Sequence, residues 1–131
     1  MKETQMDAVV THQEGDLETA DLGGPHDAVL CFSILHHLSP TQIDTLLTRA
    51  CAALKPGGTL AVLDMFRPNP GQRRRSSAAI FELFFHLTSG VDTMSEAELG
   101  DHHTRTGFTA PKRHDLPTLP DLRLYTSTTS R

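Results

Sequence analysis

Residues 27–64 read DAVLCFSILHHLSPTQIDTLLTRACAALKPGGTLAVLD, and this stretch decides the fold. It opens with an apolar run, Ala28–Phe32, whose length and continuity are typical of a strand buried on both faces of a sheet. It closes with a second apolar run, Thr59–Leu63, which ends on Asp64. Two such strands with a helix between them predict a right-handed crossover between parallel strands, and therefore an α/β fold.

The helix between these strands has start and stop signals of its own. Ser39 and Gln42 are spaced as a capping box, and Pro40 suits the first helical position. Apolar residues recur at helical spacing as far as Leu54. The sequence over 55–58, Lys-Pro-Gly-Gly, predicts a turn into the second strand.

The rest of the chain has weaker patterns. Residues 8–11 suggest a short strand, and residues 78–87 an apolar, phenylalanine-rich helix that something must cover. A second capping box opens a helix over 95–106, although Gly100 and two histidines stand where apolar residues would be expected. Pro111 indicates an edge strand, and alternation over 122–126 a last strand beside it.

Length and composition favour a single domain over residues 1–131. The formal charge of −4 gives no electrostatic reason to expect nucleic acid or an anionic membrane as a partner. No apolar run approaches the length of a membrane span. The two cysteines are expected to be buried thiols, and no secretory leader is visible, so a cytoplasmic location is expected.

A set of short motifs occurs in one order along the chain: Gly15-Asp16-Leu17, Asp27-Ala-Val-Leu30, Leu35-His36-His37-Leu38, Leu54-Lys-Pro-Gly-Gly58, Ser95-Glu-Ala-Glu-Leu99 and Gly107-Phe108. In this order and at these intervals the chain resembles the later half of a class I S-adenosylmethionine-dependent methyltransferase. Within that superfamily it is most similar to the small-molecule O-methyltransferases.

The resemblance implies a Rossmann-like sheet of seven strands in the order 3-2-1-4-5-7-6, with antiparallel strands at its end. The first strands and the glycine-rich loop that cradles the cofactor have no counterpart in this sequence. We therefore expect an N-terminally truncated catalytic domain with an incomplete sheet. S-adenosylmethionine is the implied cofactor if the missing half is supplied. The implied partners are a small-molecule substrate and either a homo-oligomer or an N-terminal partner half.

The resemblance also implies a general base and a substrate contact. His36 matches the histidine that removes the proton of the acceptor hydroxyl, a task that suits imidazole because its pKa lies near neutrality. A histidine that only satisfies backbone groups of its loop is the open alternative. His37 stands where the family has a substrate-facing aspartate. Phe81 and Phe84 lie on the helix that the family uses to cover its substrate; a dimer surface and an ordinary buried helix are the open alternatives.

The implied cofactor contacts fall at two places. Asp16 and Leu17 match the pair that binds the adenine amino group and ring, although an aspartate is also common in a glycine-rich turn. Cys31, Phe32 and Ser33 come where a parallel strand ends, which is where ligands bind in open α/β sheets. Phe32 stands where some members carry a lysine, and a core position is its alternative role.

No metal site is expected, because adjacent histidines point in different directions and no further ligand motif accompanies them. Two functions from different classes follow. The first is an O-methyltransferase of small molecules, of the secondary-metabolite type, with His36 as its base. The second is a non-catalytic remnant, or half of a split protein, that acts through a partner chain. As an isolated chain, the polypeptide is expected to be inactive.

Overall fold

A computed structural model describes residues 9–66, 94–119 and 122–130, and between them only the single residues Ile80, Leu83 and Leu87. Its elements, in chain order, are strand β1 (His26–Phe32), a short 3-10 helix (Leu35–His37), helix α1 (Pro40–Ala53), strand β2 (Leu54–Asp64), helix α2 (Glu96–Thr106), strand β3 (Lys112–His114) and strand β4 (Arg123–Thr128).

The four strands form one sheet in the order β1-β2-β4-β3. β1 and β2 are parallel, with Ala28 opposite Thr59 and Phe32 opposite Leu63, whereas β4 is antiparallel to β2 and to β3. The predicted crossover is confirmed. The order corresponds to the 4-5-7-6 part of the sheet that the resemblance implies. The segment after Pro111 forms the edge strand β3, as expected for a residue that cannot donate to a strand ladder.

β1 is not buried on both faces, and this prediction was wrong. Leu30 is 60% exposed and Phe32 46% exposed, whereas Cys31 between them is buried. Successive side chains of a strand point to opposite faces, so one face of β1 carries Cys31 into the core and the other carries Leu30 and Phe32 toward solvent. The strand expected over 8–11 is also absent from residues 9–11, the part of that segment that the structure describes.

α1 begins as its sequence predicts. The Gln42 amide donates to Ser39 Oγ at 3.3 Å, and the Ser39 amide donates to Gln42 Oε1 at 2.8 Å, which completes the capping box. The helix ends at Ala53, one residue earlier than predicted. Its buried stripe packs against the sheet and consists of Ile43, Leu46, Leu47, Ala50 and Ala53.

Residues 55–58 do not form a separate turn, because they lie inside β2. His26 pairs with Leu54 and Ala28 with Thr59, so β2 advances five residues while β1 advances two, and the extra residues form an irregularity in the strand. Gly57 allows this with a φ of 75°, which favours glycine. The Gly57 amide donates to the buried Thr129 hydroxyl at 2.7 Å, so the irregularity is tied to the end of β4.

Helix α2 buries His102 and His103, the two histidines that stand where apolar residues would be expected. His102 Nδ1 lies 2.5 Å from Asp44 Oδ1, and Arg105 donates to the same carboxylate, so α2 is joined to α1 by a charged cluster. Burial raises the pKa of Asp44, but the hydrogen bonds from His102 and Arg105 outweigh it and leave that pKa lowered. His103 is buried beside Phe108, and its burial lowers its pKa. Tertiary partners therefore replace the apolar side chains that the helix lacks.

Candidate active site at the carboxyl ends of the parallel strands

The sequence brings a histidine and an aspartate to one edge of the sheet. β1 ends at Phe32 and leads through the short 3-10 helix to His36, while the neighbouring parallel strand β2 ends on Asp64. The carboxyl ends of adjacent parallel strands lie side by side, so residues 28 apart in sequence meet there.

His36 and Asp64 form a buried hydrogen-bonded pair. His36 Nδ1 lies 2.7 Å from Asp64 Oδ1, and the His36 amide donates to Oδ2 at 3.3 Å. The Met65 amide also donates to Oδ1, at 2.9 Å. The two residues are 8% and 3% exposed. Because a carboxylate only accepts hydrogen bonds, Nδ1 carries the proton in this pair, and Nε2 is the ring nitrogen that can act as a base.

His37 follows His36 but faces outward. Its ring centroid lies 3.9 Å from that of His36, with the planes tilted by 51°, and the residue is exposed. Neighbouring positions of a short helix point in different directions, so one histidine reaches Asp64 and the other lies toward solvent. His37 is therefore an exposed residue next to the buried pair.

The loop that carries Asp16 and Leu17 is exposed and fastened to α1. Asp16 Oδ1 accepts a hydrogen bond from the Glu18 amide at 2.8 Å, so part of the carboxylate closes its own turn. Gln42 Nε2 donates to Glu18 Oε1 at 2.8 Å, and the Arg49 guanidinium donates to the Leu17 carbonyl. Helix α1 therefore holds this loop in place.

The three residues at the end of β1 do not form one cofactor surface. Cys31 points into the core, whereas Phe32 lies on the opposite, exposed face and Ser33 follows the strand with an exposed side chain. Burial, with a smaller effect of the Asp64 carboxylate, raises the pKa of the Cys31 thiol to about 11. Cys31 is therefore a neutral core residue, and of the three only Phe32 presents a large apolar side chain to solvent.

Two predicted substrate residues, Phe81 and Phe84, lie outside the described residues. Of the predicted helix over 78–87, the structure describes Ile80, Leu83 and Leu87, which are helical and exposed.

Asp64 is the site residue that sequence reasoning missed. It was recognised only as the end of a strand, although its sequence did contain a usable signal. An acidic residue that directly ends a buried parallel strand lies at the edge where ligands bind, and His36 follows the neighbouring strand at the same edge. What the sequence could not give is the 2.7 Å contact, because the contact depends on the register between β1 and β2.

One cleft of the described chain lies apart from His36 and Asp64. A shallow cleft of about 280 Å³ lies between the loop at 21–23 and the second half of α1, beside Arg49, and contains none of the predicted site residues. The described part of the chain has no group of three or more His, Cys, Asp or Glu residues placed to hold a metal ion. Nor does any helix within it combine the length and apolar character needed to cross a membrane.

Comparison with known proteins places this chain in a family. The model of the O-methyltransferase domain matches residues 1–109 of this chain. The chain belongs to the O-methyltransferase family. An uncharacterized methyltransferase of Synechocystis sp. is 29% identical to it over 105 residues, which are 79% of this chain and 49% of that protein.

Solved structures agree with the family membership. A proposed O-methyltransferase from Nostoc punctiforme is 28% identical, with a TM-score of 0.78 over 88% of this chain and 34% of its own. Human N-acetylserotonin methyltransferase, crystallised with S-adenosylmethionine, has a TM-score of 0.79 over 91% of this chain and 33% of its own. At 18% identity, the human enzyme shows the fold alone. The chain spans about half the length of the curated relative and about a third of these structures.

Proposed function

We propose that this chain serves S-adenosylmethionine-dependent methylation of a hydroxyl group on a small molecule, with His36 as the general base. The observation that carries the proposal is the buried His36–Asp64 pair at the carboxyl ends of two parallel strands. Membership of the O-methyltransferase family is consistent with the removal of a hydroxyl proton by a side chain. The two cysteines are free thiols rather than a disulfide, which supports a reducing, cytoplasmic location.

Asp64 gives His36 the correct tautomer and orientation. With Nδ1–H donated to the carboxylate, Nε2 is the nitrogen able to take the proton of an acceptor hydroxyl. When the ring gains that proton, the adjacent carboxylate stabilises the imidazolium, and their shared burial strengthens the interaction. The two backbone amides that also bind Asp64 keep its oxygens fixed toward the ring. Asp64 is thus a positioning residue and His36 the base.

The described residues fit one end of the cofactor. Asp16 offers an exposed carboxylate with one oxygen already used in its turn, and Leu17 and Phe32 offer exposed apolar surface for a ring. No glycine-rich loop between a strand and a helix occurs within the described ranges, since Gly57 lies inside β2. When bound, S-adenosylmethionine would supply an electrophilic methyl group on its sulfonium, and the acceptor oxygen would take that methyl group while the sulfur leaves as a neutral thioether.

Methyl transfer can be tested in a chimera in which the preceding part of the Nostoc punctiforme protein completes this chain. The assay follows labelled methyl groups from S-adenosylmethionine into a panel of phenols, aromatic amines and thiols. O-methyl products from phenols are expected. Products methylated only on nitrogen or sulfur, or no product despite measured cofactor binding, would contradict the proposed reaction.

By itself, this chain is expected to bind S-adenosylmethionine more weakly than about 1 mM, because few contacts are available. One hydrogen bond contributes about 0.5–1.5 kcal/mol and one stacked ring a similar amount, whereas a Kd of 1 mM needs about −4.1 kcal/mol. Isothermal titration calorimetry on the monomeric chain measures this directly, with Asp16→Asn as the matched variant. Micromolar binding to a monomer would show that the described residues hold more of the cofactor than these two contacts.

A second candidate function is association with another polypeptide, and the outer edge of β1 favours it. The Ser33 amide donates to the Leu63 carbonyl at 2.7 Å, so by the two-residue period of a strand the amides of Ala28, Leu30 and Phe32 point away from β2. No described strand pairs with this edge, and two of its side chains are exposed and apolar. The opposite edge, β3, is short and charged, which is how proteins prevent edge pairing.

We expect the isolated chain to self-associate through β1. Leu30→Lys should weaken that association by about tenfold or more, because pairing two copies at this apolar edge would bring the two lysine charges close together. Sedimentation velocity over a concentration series measures the effect. Leu119→Lys, which adds the same charge at another exposed leucine, is the control. A wild-type chain that stays monomeric throughout the series would exclude this role for the edge.

A further inference from the structure

Ser33 has an unusual backbone conformation directly before the candidate active site. Its φ is 55°, in the left-handed region, and it is the sole non-glycine residue with a positive φ among those that the structure describes. Side chains with a Cβ rarely occupy this region, and serine is not among the residues that are strongly enriched there. The Ser33 side chain is exposed, so packing of that side chain does not explain the conformation.

The position of Ser33 at the end of β1 shows that its conformation changes the direction of the chain. Phe32 pairs with Leu63, so Ser33 lies beside Asp64 at the end of β2, and its amide donates to the Leu63 carbonyl. A chain that continued as a strand would carry residue 36 about 10 Å beyond Ser33, at roughly 3.3 Å per residue. Instead, both the amide and the ring of His36 contact Asp64. The chain must therefore fold back within three residues.

The reversal begins at Ser33 and is completed by the 3-10 helix. Ile34 has φ −112° and ψ −43°, so the backbone changes from left-handed to right-handed between these two residues. The His37 amide then donates to the Ile34 carbonyl at 3.0 Å, and the Leu38 amide to the Leu35 carbonyl at 3.1 Å. These bonds fix the turn once it has formed, but they do not set its direction at the end of β1.

We infer that Ser33 is a positioning residue: its left-handed backbone turns the chain at the end of β1 and so places the His36 ring on Asp64. The catalytic meaning of this inference rests on the proposed function, because it concerns the same histidine. The structural part of the inference does not rest on the proposed function, because the contact between His36 and Asp64 can be measured in the chain without any turnover.

Replacement residues at position 33 should be tolerated in the order in which they accept a positive φ. Glycine and asparagine accept this region, alanine is less suited to it, and a β-branched valine is least suited. We expect Ser33→Gly and Ser33→Asn to keep the His36–Asp64 contact. Ser33→Val should open the turn and expose the Nδ1 proton of His36 to solvent about tenfold or more often, because strain at a residue of this kind shifts the local equilibrium.

The experiment is nitrogen-15 NMR of the histidine rings in the full chain, with the His36 signals assigned through His36→Gln. The rate at which the Nδ1 proton exchanges with water reports the contact, and a change in fold stability alone would alter every histidine together. Ser130→Val, the same substitution at an exposed residue near the end of β4, is the control. If Ser33→Val does not fold, Ser33→Ala is compared with Ser33→Gly in its place.

Faster exchange at His36 in Ser33→Val or Ser33→Ala, with Ser33→Gly and Ser33→Asn like the parent chain, supports the inference. Equal exchange rates in all of these variants would overturn it. Failure of the proposed function looks different: His36→Gln would then keep its turnover in the completed enzyme, while the proton exchange at His36 in the parent chain stayed slow.

Discussion

His36→Gln is expected to lower the kcat of the completed methyltransferase by about two to four orders of magnitude, the range that a positioned general base contributes. This corresponds to about 3–5 kcal/mol of transition-state free energy. Glutamine keeps a polar side chain of similar reach but cannot take a proton from the acceptor hydroxyl. The cofactor Kd should barely change, because the His36 ring is held by Asp64 and the proposed cofactor contacts come from Asp16, Leu17 and Phe32.

The pH dependence of kcat distinguishes a base from a structural histidine. If a general base removes the hydroxyl proton, the kcat of the parent enzyme should decrease toward acid pH, and the variant should lose that dependence. His12→Gln, at an exposed histidine outside the site, is the matched control and should retain full activity. Turnover of His36→Gln within a few-fold of the parent across neutral pH would show that His36 only satisfies its loop.

Leu47→Ala is expected to reduce the free energy of unfolding by about 2–5 kcal/mol, which would unfold much of a marginally stable chain. Leu47 is fully buried on α1, inside the cluster where the helix meets the sheet and α2. Removing its side chain leaves a cavity that the surrounding side chains and the capped helix cannot close completely.

Urea unfolding followed by circular dichroism measures this change. Leu119→Ala makes the same chemical change at a leucine that is 48% exposed and should alter the unfolding free energy by no more than about 0.5 kcal/mol. Equal effects of the two substitutions would mean that α1 does not pack on the sheet as described.

Much of the fold was predictable because its signals are local. The capping box at Ser39, the apolar stripe of α1 and the two flanking apolar runs lie within 38 consecutive residues and predicted the parallel crossover. Pro111 gave the edge strand for an equally local reason, since its nitrogen cannot donate to a ladder. The sheet order followed once the chain was recognised as similar to methyltransferases.

The expectations that failed depended on which residues pack against each other in the folded chain, and a sequence pattern alone does not identify those residues. The apolar run of β1 was read as buried on both faces, but a strand is buried only where another layer covers it, and Leu30 and Phe32 have no such cover among the described residues. In α2, two residues that the sequence marked as poor core residues are buried. His102 and His103 looked unsuited to a core, yet His102 Nδ1 contacts Asp44 and His103 Nδ1 the Leu99 carbonyl, while His103 Nε2 is buried without a hydrogen-bond partner in the described part of the chain.

The candidate site shows the same division. The sequence by itself determined that His36 follows an apolar strand and that an aspartate ends the next one, because both facts are properties of a short segment. Tertiary structure decided that the two side chains meet. The parallel register of β1 and β2 sets Asp64 beside Ser33, and the left-handed backbone of Ser33 returns the chain to it. The contact joins two residues that are 28 positions apart in the sequence. It requires both conditions at once, and no local sequence pattern encodes such a combination.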